Sequence, residues 1–221
     1  MRLKNIPGAK EAVDAHPLVI HTPEQYKGKW NEAVFRRNAP LQVEIGMGKG
    51  TFLTALAQRS PDINYLGIEK MSSVLFRALE KRDALEEPIG NLYYLRFNAE
   101  AVTDLFAENE VDRIYLNFSD PWPKDRHADR RLTSKRFLSR YEQFLKPGGI
   151  IEFKTDNKAL FAFSLEQAEE AGWEILAKTT DLHKDKVLSQ DNIMTEYEDR
   201  FVTLGEKICK MVIRKTEGGS R

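Results

Sequence analysis

Between residues 41 and 171 short apolar runs alternate with stretches of helical spacing, and this alternation constrains the fold more than any other property of the chain. Leu41-Gln42-Val43-Glu44-Ile45-Gly46 alternates and then meets glycines, as a strand does on entering a turn. Further strands are predicted at 64–69, 91–97, 111–118 and 150–154. Helical spacing lies between them. It covers 51–59, where Phe52, Leu53 and Leu56 recur on one face, the amphipathic stretch 72–86 and a short helix at 102–106. It returns at 134–145, closed by Lys146-Pro147-Gly148-Gly149, and at 158–171. Strands alternating with helices form βαβ units, so the expected fold class is α/β, a mostly parallel, doubly wound sheet covered on both faces. Near the end the pattern changes. Residues 173–179 and 200–214 read as two more strands, the second interrupted by Gly205 at a bulge or bend. Strand after strand predicts an antiparallel C-terminal strand, in a hairpin that closes the sheet edge. Residues 1–38 do not fit the repeating unit and read as an N-terminal extension to a domain spanning 39–215.

Composition narrows the class. With 41% hydrophobic and 31% charged residues among 221, the chain suits a globular domain with a sizeable core. Lys plus Arg and Asp plus Glu are equal at 34 each, which argues against a bulk nucleic-acid coat protein but not against a local basic patch. One such patch runs from Pro121 to Arg140, with seven Lys or Arg against two Asp; the first forty residues hold seven basic against four acidic. Cys209 is the single cysteine and stands in an apolar alternating run, so a disulfide framework and a cysteine-rich zinc site are both excluded. No apolar run approaches the roughly 20 residues that cross a bilayer, and no signal-peptide core is visible. No membrane partner is expected, and the expected compartment is the cytoplasm.

Two strand ends carry the chemistry. At the first, Glu44-Ile45-Gly46-Met47-Gly48-Lys49-Gly50 sits where a strand feeds a helix. Glycines there allow a tight turn and a close approach of backbone to ligand. A dinucleotide fingerprint reads G-x-G-x-x-G. Here the spacing is G-x-G-x-G, and the Glu44 carboxylate would repel a pyrophosphate. It suits instead the cationic amino-acid part of S-adenosylmethionine, through backbone or water contacts. Glu69, nineteen residues after Gly50, is placed to accept both hydroxyls of a ribose, and Asn98-Ala99 after the third strand to meet an adenine edge. At the second strand end, Ile114-Tyr115-Leu116-Asn117-Phe118-Ser119-Asp120-Pro121-Trp122-Pro123-Lys124 runs from apolar strand into an acid set among prolines. Each Pro pushes the residue before it toward extended geometry, so Asp120 and Trp122 are expected extended and stiff at the mouth of the strand. Ligands of open α/β sheets bind beyond such ends. With the basic stretch Lys124 to Arg131 following, the combination points to a pocket for a base within a polyanion.

The blocks V-E-I-G-M-G-K-G, I-E-K, R-F-N-A-E, N-F-S-D-P-W-P-K-D-R-H and Thr195-Glu196-Tyr197-Glu198 together resemble the bacterial tRNA (guanine-N7)-methyltransferase family, in order from about residue 20 to 213. The D-P-W-P-K-x-R-H and T-x-Y-E blocks are specific; the glycine loop alone is not. The resemblance implies a Rossmann-like methyltransferase fold, with 39–215 as the S-adenosylmethionine-dependent domain. It implies S-adenosyl-L-methionine as cofactor, tRNA as partner, and transfer to N7 of the variable-loop guanosine (guanosine-46), giving N7-methylguanosine. Carried over position by position, Glu44, Glu69, Asn98 and Asp120 fall on cofactor positions, with Gly46, Gly48, Gly50 and Ala99 in the same loops. Asp120 also falls on the catalytic acid. Lys124, Asp156, Thr195, Glu196, Tyr197 and Glu198 fall on substrate positions, and Arg126, His127, Arg130 and Arg131 on the tRNA-contacting segment. The N-terminal extension is a further candidate for RNA contact. A homodimer is left open.

Guanine N7 carries a free lone pair, so no proton has to be removed before attack, and the work is alignment of N7 with the methyl–sulfur bond. Positive charge passes to the guanine ring, where a fixed carboxylate accepting N1–H and N2–H would stabilise it. Asp120 is the first candidate; Asp156 and Glu198 are alternatives. Trp122 is suited to stack on a base, a contact of about 1–3 kcal/mol, or equally to serve as a core or lid aromatic. Lys124, Arg126, Arg130 and Arg131 suit phosphates; His127 donates to RNA or caps its loop. His16, His21 and His183 form no metal-ligand pattern, and no metal is expected. Three other readings compete. One is an S-adenosylmethionine-dependent N-methyltransferase for another RNA site or a small amine. A nicotinamide-dependent oxidoreductase is disfavoured by the glycine spacing and Glu44. A non-catalytic RNA-binding module is disfavoured by the intact cofactor loop and Asp120.

Overall fold

The computed structural model describes residues 5–215, which divide into two compact units, the first ending at Ala107 and the second beginning at Glu108. In the first, α1 (Ala9–Ala15), β1 (Leu41–Ile45), α2 (Thr51–Arg59), β2 (Asn64–Glu69), α3 (Ser72–Asp83) and β3 (Leu92–Arg96) follow one another. β1 and β3 both pair with β2 in parallel, with Val43 opposite Leu66 and Leu66 opposite Tyr93. Parallel neighbours require crossovers, which α2 and α3 supply. Every residue of β1 and β2 is buried, as expected for strands covered on both faces. The helix predicted at 72–86 stops at Asp83, and the short helix predicted at 102–106 is instead a 3₁₀ segment at Ala99–Asp104.

The residues before β1 belong to the core of this unit. Ala9, Val13, Val19, Trp30 and Phe35 are all buried. Val19 bridges Tyr94 in parallel, and the Ile20 N–H donates to the Tyr94 carbonyl at 2.9 Å, so the chain adds a short edge beside β3. The Trp30 indole N–H donates to the Leu105 carbonyl at 2.8 Å, which satisfies the one polar atom of a fully buried ring.

The second unit holds β4 (Val111–Asn117), α4 (Lys135–Glu142), β5 (Leu145–Thr155), α5 (Lys158–Glu170), β6 (Glu174–Thr179), α6 (Glu196–Thr203) and β7 (Cys209–Arg214). β4 and β5 are parallel, whereas β7 is antiparallel to both β5 and β6. The parallel α/β expectation with an antiparallel C-terminal pair at the sheet edge therefore stands, β7 lying between β5 and the edge strand β6, with one correction. The range 200–214 is not one interrupted strand: its first part belongs to α6, and Gly205, at φ 81°, lies in the turn after it. The helix forms because the Thr195 hydroxyl accepts the Glu198 N–H at 2.9 Å and because Glu196, Glu198 and Asp199 place negative charge in its first turn. Cys209 is buried and free.

Candidate functional site

In the first unit the glycine loop is bound to the ends of β1 and β2 through its backbone. The N–H groups of Gly46 and Met47 both donate to the Ile68 carbonyl, at 2.8 and 3.1 Å. Gly46, Gly48 and Gly50 all have positive φ, 75°, 59° and 71°, which the absence of Cβ permits. Gly67, inside β2, has a different role: a Cβ there would run into the Met47 sulfur, so the small residue lets the loop pack down on the strand. Glu69 ties the arrangement together. One carboxylate oxygen accepts the Gly48 N–H at 3.2 Å and the other the Met71 N–H at 2.9 Å. Burial raises its pKa, against the lowering effect of the Met71 and Gly48 amides. The Phe97 N–H donates to the Glu69 carbonyl at 3.1 Å, which sets Asn98 and Ala99 just beyond the same strand end. The Asn98 side chain accepts the Glu100 N–H and caps the 3₁₀ turn. Glu44 is buried within β1. At the start of α2, Lys81 donates to the Thr51 hydroxyl at 2.9 Å, and burial together with the Lys49 charge lowers its pKa.

In the second unit the β4 end turns sharply. Phe118 has φ 52° and Trp122 φ 41°. The expectation of extended geometry at Trp122 is therefore wrong. The reason is Arg131, which reaches back to donate to the carbonyls of Pro121 and Trp122, both at 3.0 Å, while its guanidinium lies 4.2 Å from the Phe163 ring centre. Around the Trp122 ring, Arg130 stacks at 5.1 Å and His127 meets it edge-on at 5.6 Å. Asp120, Lys124 and Arg126 are exposed. Thus Arg130, His127 and Arg131 brace the turn, and Lys124 and Arg126 face solvent.

The end of β5 joins this turn to the T-x-Y-E block. The Phe118 N–H donates to the Lys154 carbonyl at 2.8 Å, and the Phe118 ring meets Tyr197 at 5.0 Å. Tyr197 stacks on Phe201 at 4.3 Å and remains 45% exposed. Burial raises the pKa of the partly exposed Asp156, and Glu206 adds to the shift; the Tyr197 hydroxyl is raised by burial and by the Asp156 charge. Glu198 behaves differently. It is fully buried, 2.6 Å from the Lys154 ammonium, 2.7 Å from the Asn192 amide and 3.1 Å from His183. Glu196 is exposed at the first position of α6. Lys154, Asn192 and His183 escaped the reading of the sequence as parts of the site, although a cation beside Phe153 near the end of a buried strand calls for a buried partner.

A family model described as "Putative methyltransferase" matches residues 38–211. Among curated relatives, the tRNA (guanine-N(7)-)-methyltransferase of Lachnoclostridium phytofermentans is 58% identical over 96% of this chain and 97% of its own. That of Brevibacillus brevis is 47% identical, again over 96% and 97%. The chain belongs to the tRNA (guanine-N(7)-)-methyltransferase family. Its fold is the Rossmann-like methyltransferase fold, shared at low identity with solved structures. A 16S rRNA methyltransferase, KamB, matches at TM-score 0.62 and 12% identity, over 84% of this chain and 92% of its own. An antibiotic-related methyltransferase matches at 0.59 and 19%, over 82% and 90%.

The first unit suits the methyl donor of such a family. A Cβ at Gly48 would meet nothing within 4 Å, so that side of the loop is open for a ligand to approach. The Glu69 carboxylate accepts the Gly48 and Met71 N–H groups on separate oxygens, with the Lys70 N–H as a further backbone partner; a carboxylate offers about four lone-pair sites, so acceptor capacity is left for a ligand hydroxyl. Among the described residues no group of three or more His, Cys, Asp or Glu is placed to hold a metal ion, and no helix is long and apolar enough to cross a membrane.

Proposed function

We propose that this protein transfers a methyl group from S-adenosyl-L-methionine to N7 of the variable-loop guanosine (guanosine-46) of tRNA, forming N7-methylguanosine. Membership of the tRNA (guanine-N(7)-)-methyltransferase family carries the reading. When bound, S-adenosyl-L-methionine supplies an electrophilic methyl group on a sulfonium. Glu69 is the group that would accept the ribose hydroxyls, with Gly46, Gly48 and Gly50 allowing close backbone approach and Asn98 and Ala99 meeting the adenine. Glu44 lies at the amino-acid end.

On the acceptor side, Asp120 is the catalytic acid of this proposal. It would accept guanine N1–H and N2–H and stabilise the positive charge that develops on the ring. Asp156 is the alternative holder, supported by its partial exposure and its place beside Tyr197. Glu198 is a weaker candidate for direct contact, since its carboxylate is spent on Lys154, Asn192 and His183. Its contribution is to hold α6, with Thr195 and Tyr197. Lys124 and Arg126 would meet tRNA phosphates, and Arg130 and Arg131 would add charge while bracing Trp122. The expected setting is the cytoplasm.

Tritium transfer from labelled S-adenosylmethionine, with tRNA transcripts compared against small amines, tests the reading. Label is expected in tRNA only. Incorporation into a small amine, with none in tRNA, would favour the alternative of an S-adenosylmethionine-dependent amine methyltransferase.

A further inference from the structure

Lys154 lies outside the blocks that carry the family resemblance, yet three parts of the second unit meet on it. Its side chain is 4% exposed. Its ammonium donates to the Asn192 side-chain carbonyl at 3.1 Å, the Ile193 backbone carbonyl at 2.9 Å and the Glu198 carboxylate at 2.6 Å. An ammonium has three donors, and these acceptors match them. The other Glu198 oxygen takes the Asn192 amide and His183, and the Glu198 backbone N–H is held by Thr195. Meanwhile the Lys154 carbonyl accepts the N–H of Phe118, at the turn that leads to Asp120. Two residues further along β5 and its exit stands Asp156.

We propose that Lys154 is a positioning residue for methyl transfer: through its side chain it fixes Asn192 to Glu198, and through its backbone the Phe118 turn, so that Thr195, Tyr197, Asp120 and Asp156 are preset for the acceptor base. The inference rests on the tRNA reading of the same site. A stable core does not require this arrangement, because an apolar pair of similar volume serves stability as well as a buried ion pair or better. What the ammonium adds is direction. It orients three acceptors from two adjoining segments about one point, and small displacements of positioning groups cost catalysis heavily.

The test compares full-length wild type, Lys154→Met and Asn192→Ala. Methyl transfer to tRNA is normalised to the number of S-adenosylmethionine-binding sites, so that unfolded molecules do not count. Lys154→Met is expected to lower kcat/KM for tRNA per site by about 100-fold, with the Kd for S-adenosylmethionine unchanged. Asn192→Ala, which keeps both charges, is expected to show the same split at about tenfold. Should Lys154→Met fail to fold, Asn192→Ala decides by the same ratio. Wild-type turnover per site in the variants would overturn the positioning role and leave the tRNA reading standing. Absence of tRNA methylation by the wild type itself would overturn both.

Discussion

Phe118 and Trp122 adopt left-handed backbone conformations that cost bulky residues of the order of 1–3 kcal/mol each. Such conformations persist only where the surroundings over-determine them. Phe118 is held by the Lys154 carbonyl and the Tyr197 ring, and Trp122 by Arg131, Arg130 and His127. The strain thus falls on the two aromatic residues that flank Asp120, the acid proposed above to hold the guanine. Glu69 shows the opposite balance, a buried acid whose pKa is raised above its ordinary 4.5 chiefly by desolvation. A raised carboxyl pKa means that the folded state holds the proton more tightly than the unfolded state. The resulting stability is fully present below pH 4.5 and is lost as pH rises through the folded value. Urea unfolding of wild type and Glu69→Gln across that window should show wild type losing ground to the variant as pH rises. A difference that is flat, or that grows with pH, would contradict the assignment.

At the scale of elements, the turn after β4 owes its shape to one arginine. Arg131→Lys removes a guanidinium that binds two carbonyls and packs on Phe163, and lysine's single ammonium does not reproduce that fork. Methylation kinetics should show kcat falling about tenfold or more with KM for tRNA changed little, as for a group that shapes the site. A loss confined to KM, steepening with salt, would instead make Arg131 chiefly a phosphate contact. The strands and helices between 41 and 171 were legible because periods of two and 3.6 differ sharply in an alternating sequence. α6 was legible only at its start, where Thr195 to Glu198 reads on composition as a surface loop or a helix cap; the apolar Phe201, Val202 and Leu204 before a strand hid the rest, although Thr195 followed three residues later by Glu198 is a capping-box pattern. The Lys154–Glu198 pair was illegible for another reason: its members are 44 residues apart, and only the pairing of β5 and β7 and the packing of α6 bring them together.

At the scale of the whole molecule, residues 5–38 are anchored in the first unit, since Val13, Val19, Trp30 and Phe35 are buried there. Trp30→Ala should cost about 3–5 kcal/mol of unfolding free energy by urea titration; a cost below about 1 kcal/mol would mean that the segment only rests on the surface. Such anchoring leaves any RNA contact by this segment to its exposed lysines and arginines. The fold class, the glycine loop and the Asp120 turn could be found from sequence because each is a local pattern, whereas the bracing around them depends on contacts made only after folding. The proposed methyl transfer takes place at one atom of one nucleotide. Unmodified tRNA transcripts, one with the variable-loop guanosine and one with adenosine in its place, should be incubated with S-adenosylmethionine and wild-type or Asp120→Ala protein, then reduced and treated with aniline. Cleavage is expected at the variable-loop position only for wild type with the guanosine transcript. Cleavage elsewhere, or equal cleavage by Asp120→Ala, would contradict the proposal.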